Sequence, residues 1–208
     1  RRVLFRSPTS RKNSIMLSFP SQLWFATSSA FTPINFSVNS FYFCTMVKTI
    51  DHRILLNLVE HIFLGMGCSA EHAKVGADSL VSADLRGVDS HGVARLSGYI
   101  RLWEANRINP TPNIRVVHET PSTAVVDGDS GLGLVVAPYA MEIAIQKAAL
   151  VGSGWVSVKN SNHFGIAACH AMKALEKDMI GISMTNASAL VSPTFSKERM
   201  LGTNPICV

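Results

Sequence analysis

Three residues in one short stretch are spaced for chemistry: Ser90, His91 and Arg95, inside Asp84-Leu85-Arg86-Gly87-Val88-Asp89-Ser90-His91-Gly92-Val93-Ala94-Arg95. A histidine can give or take a proton near neutral pH. An arginine can fork onto a carboxylate. Side chains four residues apart on a helix share a face. Ser90 reads as an N-cap and residues 92–103 as a helix, which sets His91 and Arg95 on that face. Together they suit a 2-oxo or 2-hydroxy acid, with Arg95 on the carboxylate and His91 on the proton of the neighbouring oxygen. Ser90 either hydrogen-bonds such a substrate or caps the helix. The plainer reading is a surface helix start with a solvated arginine.

The elements around this stretch follow from hydrophobic period. Leu55, Leu58, Val59, Ile62 and Met66 recur at helical spacing, and Gly65 and Gly67 close that helix. Ser69 with Glu71 opens a second, with Val75, Leu80 and Val81 as core candidates, ending near Gly87. The third runs to about Asn106, after which Asn109-Pro110-Thr111-Pro112 forces an extended connection. Beyond the prolines the spacing predicts a strand over 122–127, a glycine-rich turn over 128–133, a helix over 137–151, a strand over 154–159, a helix over 164–176 and a strand over 179–184. Strands alternating with helices of this length imply crossovers and an α/β sheet.

Composition narrows the function. The chain has 208 residues, 47% hydrophobic and 16% charged, which is globular composition. Its net charge of +5 is not a nucleic-acid signature. Residues 1–50 hold six Lys or Arg and no acid, leaving 13 basic against 14 acidic residues elsewhere, a net of −1. Residues 1–45 read as outside the fold, either a transit peptide or a non-native extension, and Met46 would serve as a start. No apolar run there reaches the ~18 residues of a membrane span. At the other end an apolar run begins at Ile206 and stops, as in a C-terminally truncated chain. Cys44, Cys68, Cys169 and Cys207 are scattered and form no C-x-x-C, so they read as free thiols in a reducing compartment. There is no H-E-x-x-H; His163 and His170 could share a helix face but lack an acidic partner, and no metal site is expected.

The phosphate loops of nucleotide binders are missing. Gly128-Asp129-Ser130-Gly131-Leu132-Gly133 is not G-x-G-x-x-G, and no G-x-x-x-x-G-K-[ST] occurs. What remains is polar density after two strands: Asn160-Ser161-Asn162-His163-Phe164-Gly165, then Thr185-Asn186-Ala187-Ser188. Ligands of open α/β sheets sit off the carboxyl ends of strands, and Asn and Thr there could bond an amide such as nicotinamide. Ordinary capping by the same residues is the alternative.

The ordered set D-L-R-G-V-D-S-H-G-V-A-R, N-S-N-H-F-G, M-T-N and G-T-N-P resembles the malate/L-lactate dehydrogenase family of NAD(P)-dependent oxidoreductases from Ile50 to Val208. That group also holds sulfolactate, ureidoglycolate and diketogulonate dehydrogenases and cyclic imino-acid reductases. The resemblance implies an N-terminal helical region followed by a non-Rossmann, nicotinamide-binding α/β domain with a mixed sheet, in a homodimer. It implies His91 as acid/base and Arg95 on the substrate carboxylate, with NAD or NADP held around Asn162, His163, Thr185, Asn186, Thr203 and Asn204. It divides the chain at 1–45, 46–120 and 121–208, the last unit incomplete. Two departures stand out. The segment 193–199 lacks the glycine-containing turn of many members, and family chains run well past G-T-N-P. The expectation is therefore a cytoplasmic dehydrogenase of a small 2-hydroxy acid (mitochondrial if residues 1–45 are a transit peptide), with no nucleic-acid or membrane partner and with this stretch alone inactive. The alternative is a non-catalytic binding or dimerisation protein on the same fold.

Overall fold

The computed structural model describes residues 14–18 and 47–208. Strand β1 (Ser14–Ser18) pairs antiparallel with β2 (Val47–Asp51), so one piece of the N-terminal segment joins the fold; the rest of residues 1–45, Cys44 included, lies outside the described residues.

Helix α1 (His52–Gly65) starts because the Asp51 carboxylate accepts the Arg53 backbone N–H at 2.8 Å. It buries Leu55, Val59 and Phe63, one per turn. Leu58, expected in the core, is 55% exposed, while Phe63 is fully buried. Helix α2 (Ala70–Leu85) is capped by Ser69, whose Oγ accepts the His72 N–H at 3.2 Å. Its buried face is mostly small: Ala73, Gly76, Ala77, Leu80 and Val81. A Cβ on Gly76 would stand 2.9 Å from the Phe63 ring, so the missing side chain lets α2 close onto α1. Burying a phenylalanine this completely is worth about 1.5–3 kcal/mol.

Two 3-10 turns, Asp89–His91 and Val93–Arg95, lead into α3 (Leu96–Glu104). Then comes a mixed three-stranded sheet. Strand β3 (Arg115–Glu119) runs antiparallel to β4 (Thr123–Gly131), and β5 (Trp155–Ser161) runs parallel to β4 through the crossover helix α4 (Gly133–Val151). The α/β class with a mixed sheet is as the sequence implied. Strand β3 replaces part of the expected extended connection. The glycine-rich turn is mostly strand: Asp129 and Ser130 take φ of 48° and 58°, shift the register between Asp127 and Gly131, and let β4 continue. Helix α4 therefore begins at Gly133, where a Cβ would overlap the Asn162 carbonyl oxygen. Although α4 is long and apolar enough to cross a membrane, it serves here as the sheet's crossover.

The expected helix over 164–176 is split into α5 (Ala167–Ala171) and a 3-10 segment, Met172–Lys177. The strand expected over 179–184 shrinks to β6 (Ser183–Met184), paired antiparallel with β7 (Ile206–Cys207). Gly181 explains the shrinkage: its backbone lies so close to the Ala171 carbonyl that a Cβ would overlap it, so the chain follows α5 before it reaches a strand partner. The main core spans α1, α2 and α3 and takes in Leu132, Leu134 and Val135; a smaller one holds Val126, Val136 and Ala140. Helix α4 belongs to both. It thereby presses the ends of β4 and β5 against the helical region.

Candidate functional site

Helix α2 closes with Gly87 at φ 76°, and the N–H groups of Gly87 and Val88 bond back to Asp84 and Ala83. A single helix over 92–103 does not form. Gly92 is extended (φ −87°, ψ −150°), and the Val93 N–H donates to Asp84 Oδ2 at 2.8 Å. The carboxylate has taken the N–H that would have continued a helix through Gly92. Ser90 is not a cap: its Oγ lies 2.9 Å from His91 Nδ1. His91 and Arg95 therefore sit on consecutive 3-10 turns and not on one helix face. They stay neighbours because Arg95 folds back and donates its Nε–H to the Ser90 carbonyl at 2.7 Å.

Against this loop the structure sets His163, from the segment after β5. Its ring stacks on His91 at 5.4 Å between centroids and 24° between planes. The Gly165 N–H donates to His163 Nδ1 at 3.2 Å, and an amide can only donate. Nδ1 is thus the acceptor and the ring proton sits on Nε2. Tyr99, on α3, then donates its hydroxyl to the same Nδ1 at 2.7 Å. His163, expected among the cofactor residues, stands beside His91 and Arg95. Neither imidazole spends its Nε2 on any partner among the described residues.

The electrostatics keep both rings neutral. Desolvation, then the charge of Arg95 and the proximity of His91, hold His163 down to about 4, although the residue as a whole is exposed. Burial and then Arg95 also lower His91. Burial pushes the Tyr99 phenol up, so it remains a hydrogen donor. The Asp84 carboxyl, 4% exposed, is raised by burial, lowered by the Val93 N–H, and raised again by Asp89.

The remaining expected residues fall elsewhere. Asn162 works as a latch: its Nδ2 donates to the carbonyls of Ser130 at 2.8 Å, Gly131 at 3.0 Å and, more weakly, Arg107 at 3.4 Å. Those bonds spend its amide hydrogens on backbone and leave it only a carbonyl oxygen. Thr185 and Asn204 are tied into the chain, Thr185 Oγ1 donating to the Asn186 carbonyl at 3.0 Å and Asn204 Oδ1 accepting the Ala187 N–H at 3.0 Å. With the Thr185 N–H donating to the Pro205 carbonyl at 3.3 Å, these bonds join the M-T-N and G-T-N-P segments. The exposed Asn186 amide and Thr203 hydroxyl make no bond among the described residues and are the groups of this pair that a carboxamide could meet. His170 turns away from His163 and donates Nε2–H to the Phe164 carbonyl at 2.8 Å.

Two residues escaped the reading of the sequence. Tyr99 is four positions after Arg95, a spacing that could have marked it; its apolar ring hid it in the core pattern. Asp84 carried no signal, because its partner is nine residues away in a loop.

Residues 50–208 match the family described as malate/L-lactate dehydrogenase. The chain is 49% identical over 154 residues to the malate dehydrogenase of Pyrococcus abyssi, covering 74% of this chain and 42% of that protein. It is 48% identical over 151 residues to the L-sulfolactate dehydrogenase of Methanocaldococcus jannaschii, covering 73% and 44%. The solved structure of malate dehydrogenase from Pyrococcus horikoshii OT3 superposes with a TM-score of 0.72 at 50% identity, over 74% of this chain and 44% of that one. The chain thus spans less than half the length of the relatives it matches.

Proposed function

The chain belongs to the malate/L-lactate dehydrogenase family, and on that footing we propose that it supplies the substrate-gripping part of a nicotinamide-dependent oxidoreductase of small 2-hydroxy and 2-oxo acids, of malate or L-lactate type. The observation that carries the reading is the stacked pair His91–His163 beside Arg95. His91, neutral at pH 7, takes the hydroxyl proton on Nε2 when its Nδ1–H is donated to Ser90, and returns it in the reverse direction. His163, with its proton fixed on Nε2, donates to the substrate oxygen. Arg95 forks onto the carboxylate, which also draws an acid to a site of otherwise uncharged rings. Asn186 and Thr203, with Thr185 and Asn204 shaping the segment, would hold the carboxamide end of NAD or NADP. The cofactor, when bound, supplies the hydride acceptor or donor; the protein supplies position and protons.

The reading carries with it a homodimer in the cytoplasm, without nucleic-acid or membrane partner. The free thiols Cys68, Cys169 and Cys207 suit a reducing compartment. It also places turnover beyond residues 46–208 alone: Ile180, Phe195 and Ile206 stand 84%, 105% and 70% exposed in the segment that should line the cofactor.

The test is an assay of the protein from the longest open reading frame containing this sequence, on L-malate, L-lactate and sulfolactate with NAD and NADP. Turnover of at least one acid is expected, and His91→Ala should cut it by about 10²-fold, the scale of a lost general acid or base. A protein inert toward all three acids with both cofactors would overturn the reading. Residues 46–208 alone should bind neither NADH nor NADPH at micromolar concentration.

A further inference from the structure

We infer that Asp84 is the positioning residue of this site, and that its carboxylate works through Gly92 to set His91 and Arg95 at once. The inference rests on the substrate roles proposed above for those two residues. Asp84 lies in the last turn of α2, a packed helix, whereas both functional side chains sit on a loop outside regular helix. A loop of that kind needs an anchor to hold a side chain within a fraction of an ångström. The Asp84 carboxylate is the anchor: Oδ2 accepts the Val93 N–H at 2.8 Å, and the carboxylate lies flat against the Gly92 backbone, where any Cβ would overlap it. The anchored dipeptide Gly92-Val93 falls between His91 on one side and Arg95 on the other. Gly92 is extended, so glycine is required there by the approach of the carboxylate and not by a left-handed φ. The rest of the loop hangs from this point through short bonds: His91 N–H to the Val88 carbonyl at 3.0 Å, and Arg95 N–H to the Gly92 carbonyl at 2.9 Å. Arg95 Nε then grips the Ser90 carbonyl, so a shift of Gly92 moves imidazole and guanidinium together. Asp84 touches no substrate in this scheme. It acts through the backbone.

Three variants of the full-length protein test the inference. Asp84→Asn keeps an oxygen to accept the Val93 N–H and should stay within about threefold of wild type in kcat/KM. Asp84→Ala removes the anchor and should lose about 10²-fold, the scale of a misplacement near 1 Å, in kcat through His91 and in KM through Arg95. Gly92→Ala should lose a similar amount, because its methyl displaces the carboxylate. The decisive measurement is the double variant Asp84→Ala/Gly92→Ala. The vacated carboxylate leaves room for the methyl, so the double should be no worse than Asp84→Ala alone, where independent positions would multiply their losses. Multiplied losses, or a folded Asp84→Ala with wild-type kcat/KM, would overturn the inference. If Asp84→Ala does not fold, Asp84→Asn and Gly92→Ala decide it: damage in the first or none in the second sinks the anchor. A second readout needs no substrate. The His91 imidazole titration, followed by NMR, should keep its midpoint in Asp84→Asn and shift in Gly92→Ala. That shift survives even if no 2-hydroxy acid is turned over, which separates failure of the anchor from failure of the proposed activity.

Discussion

Replacing Tyr99 by phenylalanine isolates one bond in the site. The ring is 2% exposed and sits edge-on to Phe63 at 6.4 Å between centroids, and phenylalanine keeps that packing. What disappears is the hydroxyl that donates to His163 Nδ1 at 2.7 Å. Nδ1 is not orphaned, since the Gly165 N–H still reaches it at 3.2 Å. The cost therefore falls in the range of an ordinary hydrogen bond, about 0.5–1.5 kcal/mol, and not that of a stranded buried acceptor. For a chain of this size that is about 2–4 °C in Tm per kcal/mol. The sign of the effect on His163 is fixed by chemistry. The Tyr99 hydroxyl bonds a lone pair that only the neutral ring possesses, so its loss makes the imidazolium easier to form. The His163 titration midpoint should rise from about 4 toward its ordinary 6.5. A fixed Nε2–H donor would then be less well held, and kcat/KM should drop by about fivefold, the kinetic equivalent of roughly 1 kcal/mol. NMR titration of the histidine rings, thermal unfolding and steady-state kinetics read the three quantities separately. A Tyr99→Phe protein whose His163 midpoint is unmoved or lower would refute the donor assignment, whatever its stability.

Three further outcomes are expected. Arg95→Lys should raise KM for carboxylate substrates at least tenfold with a smaller change in kcat, because an ammonium cannot reproduce the planar fork; unchanged kcat/KM across acids would remove the carboxylate role. Phe63→Ala should cost about 3–5 kcal/mol in denaturant unfolding and should also lower activity, since Phe63 supports both Gly76 and Tyr99; a cost below ~1 kcal/mol would mean that the α1–α2 contact is not the centre of the core. Stability should fall as pH drops below 6.5, where the unfolded chain protonates its histidines but native His170, 3% exposed and held down by burial, does not. In that window the unfolded state binds more protons, so unfolding free energy rises with pH and falls as the solution is acidified. Urea midpoints at pH 7.5 and 5.5 should differ, and the difference should shrink in His170→Gln.

The order of elements was legible where period and punctuation agreed. Helices α1 and α2 and the β4–α4–β5 crossover could be read from the spacing of Leu, Val and Ile and from Ser69 and the glycines. The inward face of α1 was legible in Leu55, Val59, Ile62 and Met66, but its edges were not: Ile54, Leu58 and Leu64 extend the apolar surface around the helix, and Leu58 faces out. Strand β3 was hidden by Pro110 and Pro112 before it and by its own exposure, which leaves little alternation. The start of α3 was misread because Ser90 and Gly92 carry the local signature of a cap, while the deciding group, Asp84, acts from nine residues away. His163 was singled out but grouped by sequence with Asn162, its neighbour. The fold turns the two in different directions, Asn162 to the β4 backbone and His163 to Tyr99. In each case local chemistry was visible and long-range partners were not.

The Tyr99–His163 bond joins positions 64 residues apart, and that separation has a consequence in time. At the ~5–20 residues per second of synthesis, the helical half emerges roughly 3 to 13 s before its partner ring. Through that interval Tyr99, the loop of His91 and the small-residue face of α2 must keep company with whatever else is near. Closing so long a loop then costs on the order of 4 kcal/mol of chain entropy, which the docking of α4 onto both cores has to offset. The pair is accordingly completed only well after its helical half has emerged. A chain arrested before His163 has emerged would carry the acid-gripping arginine without the ring that completes the pair.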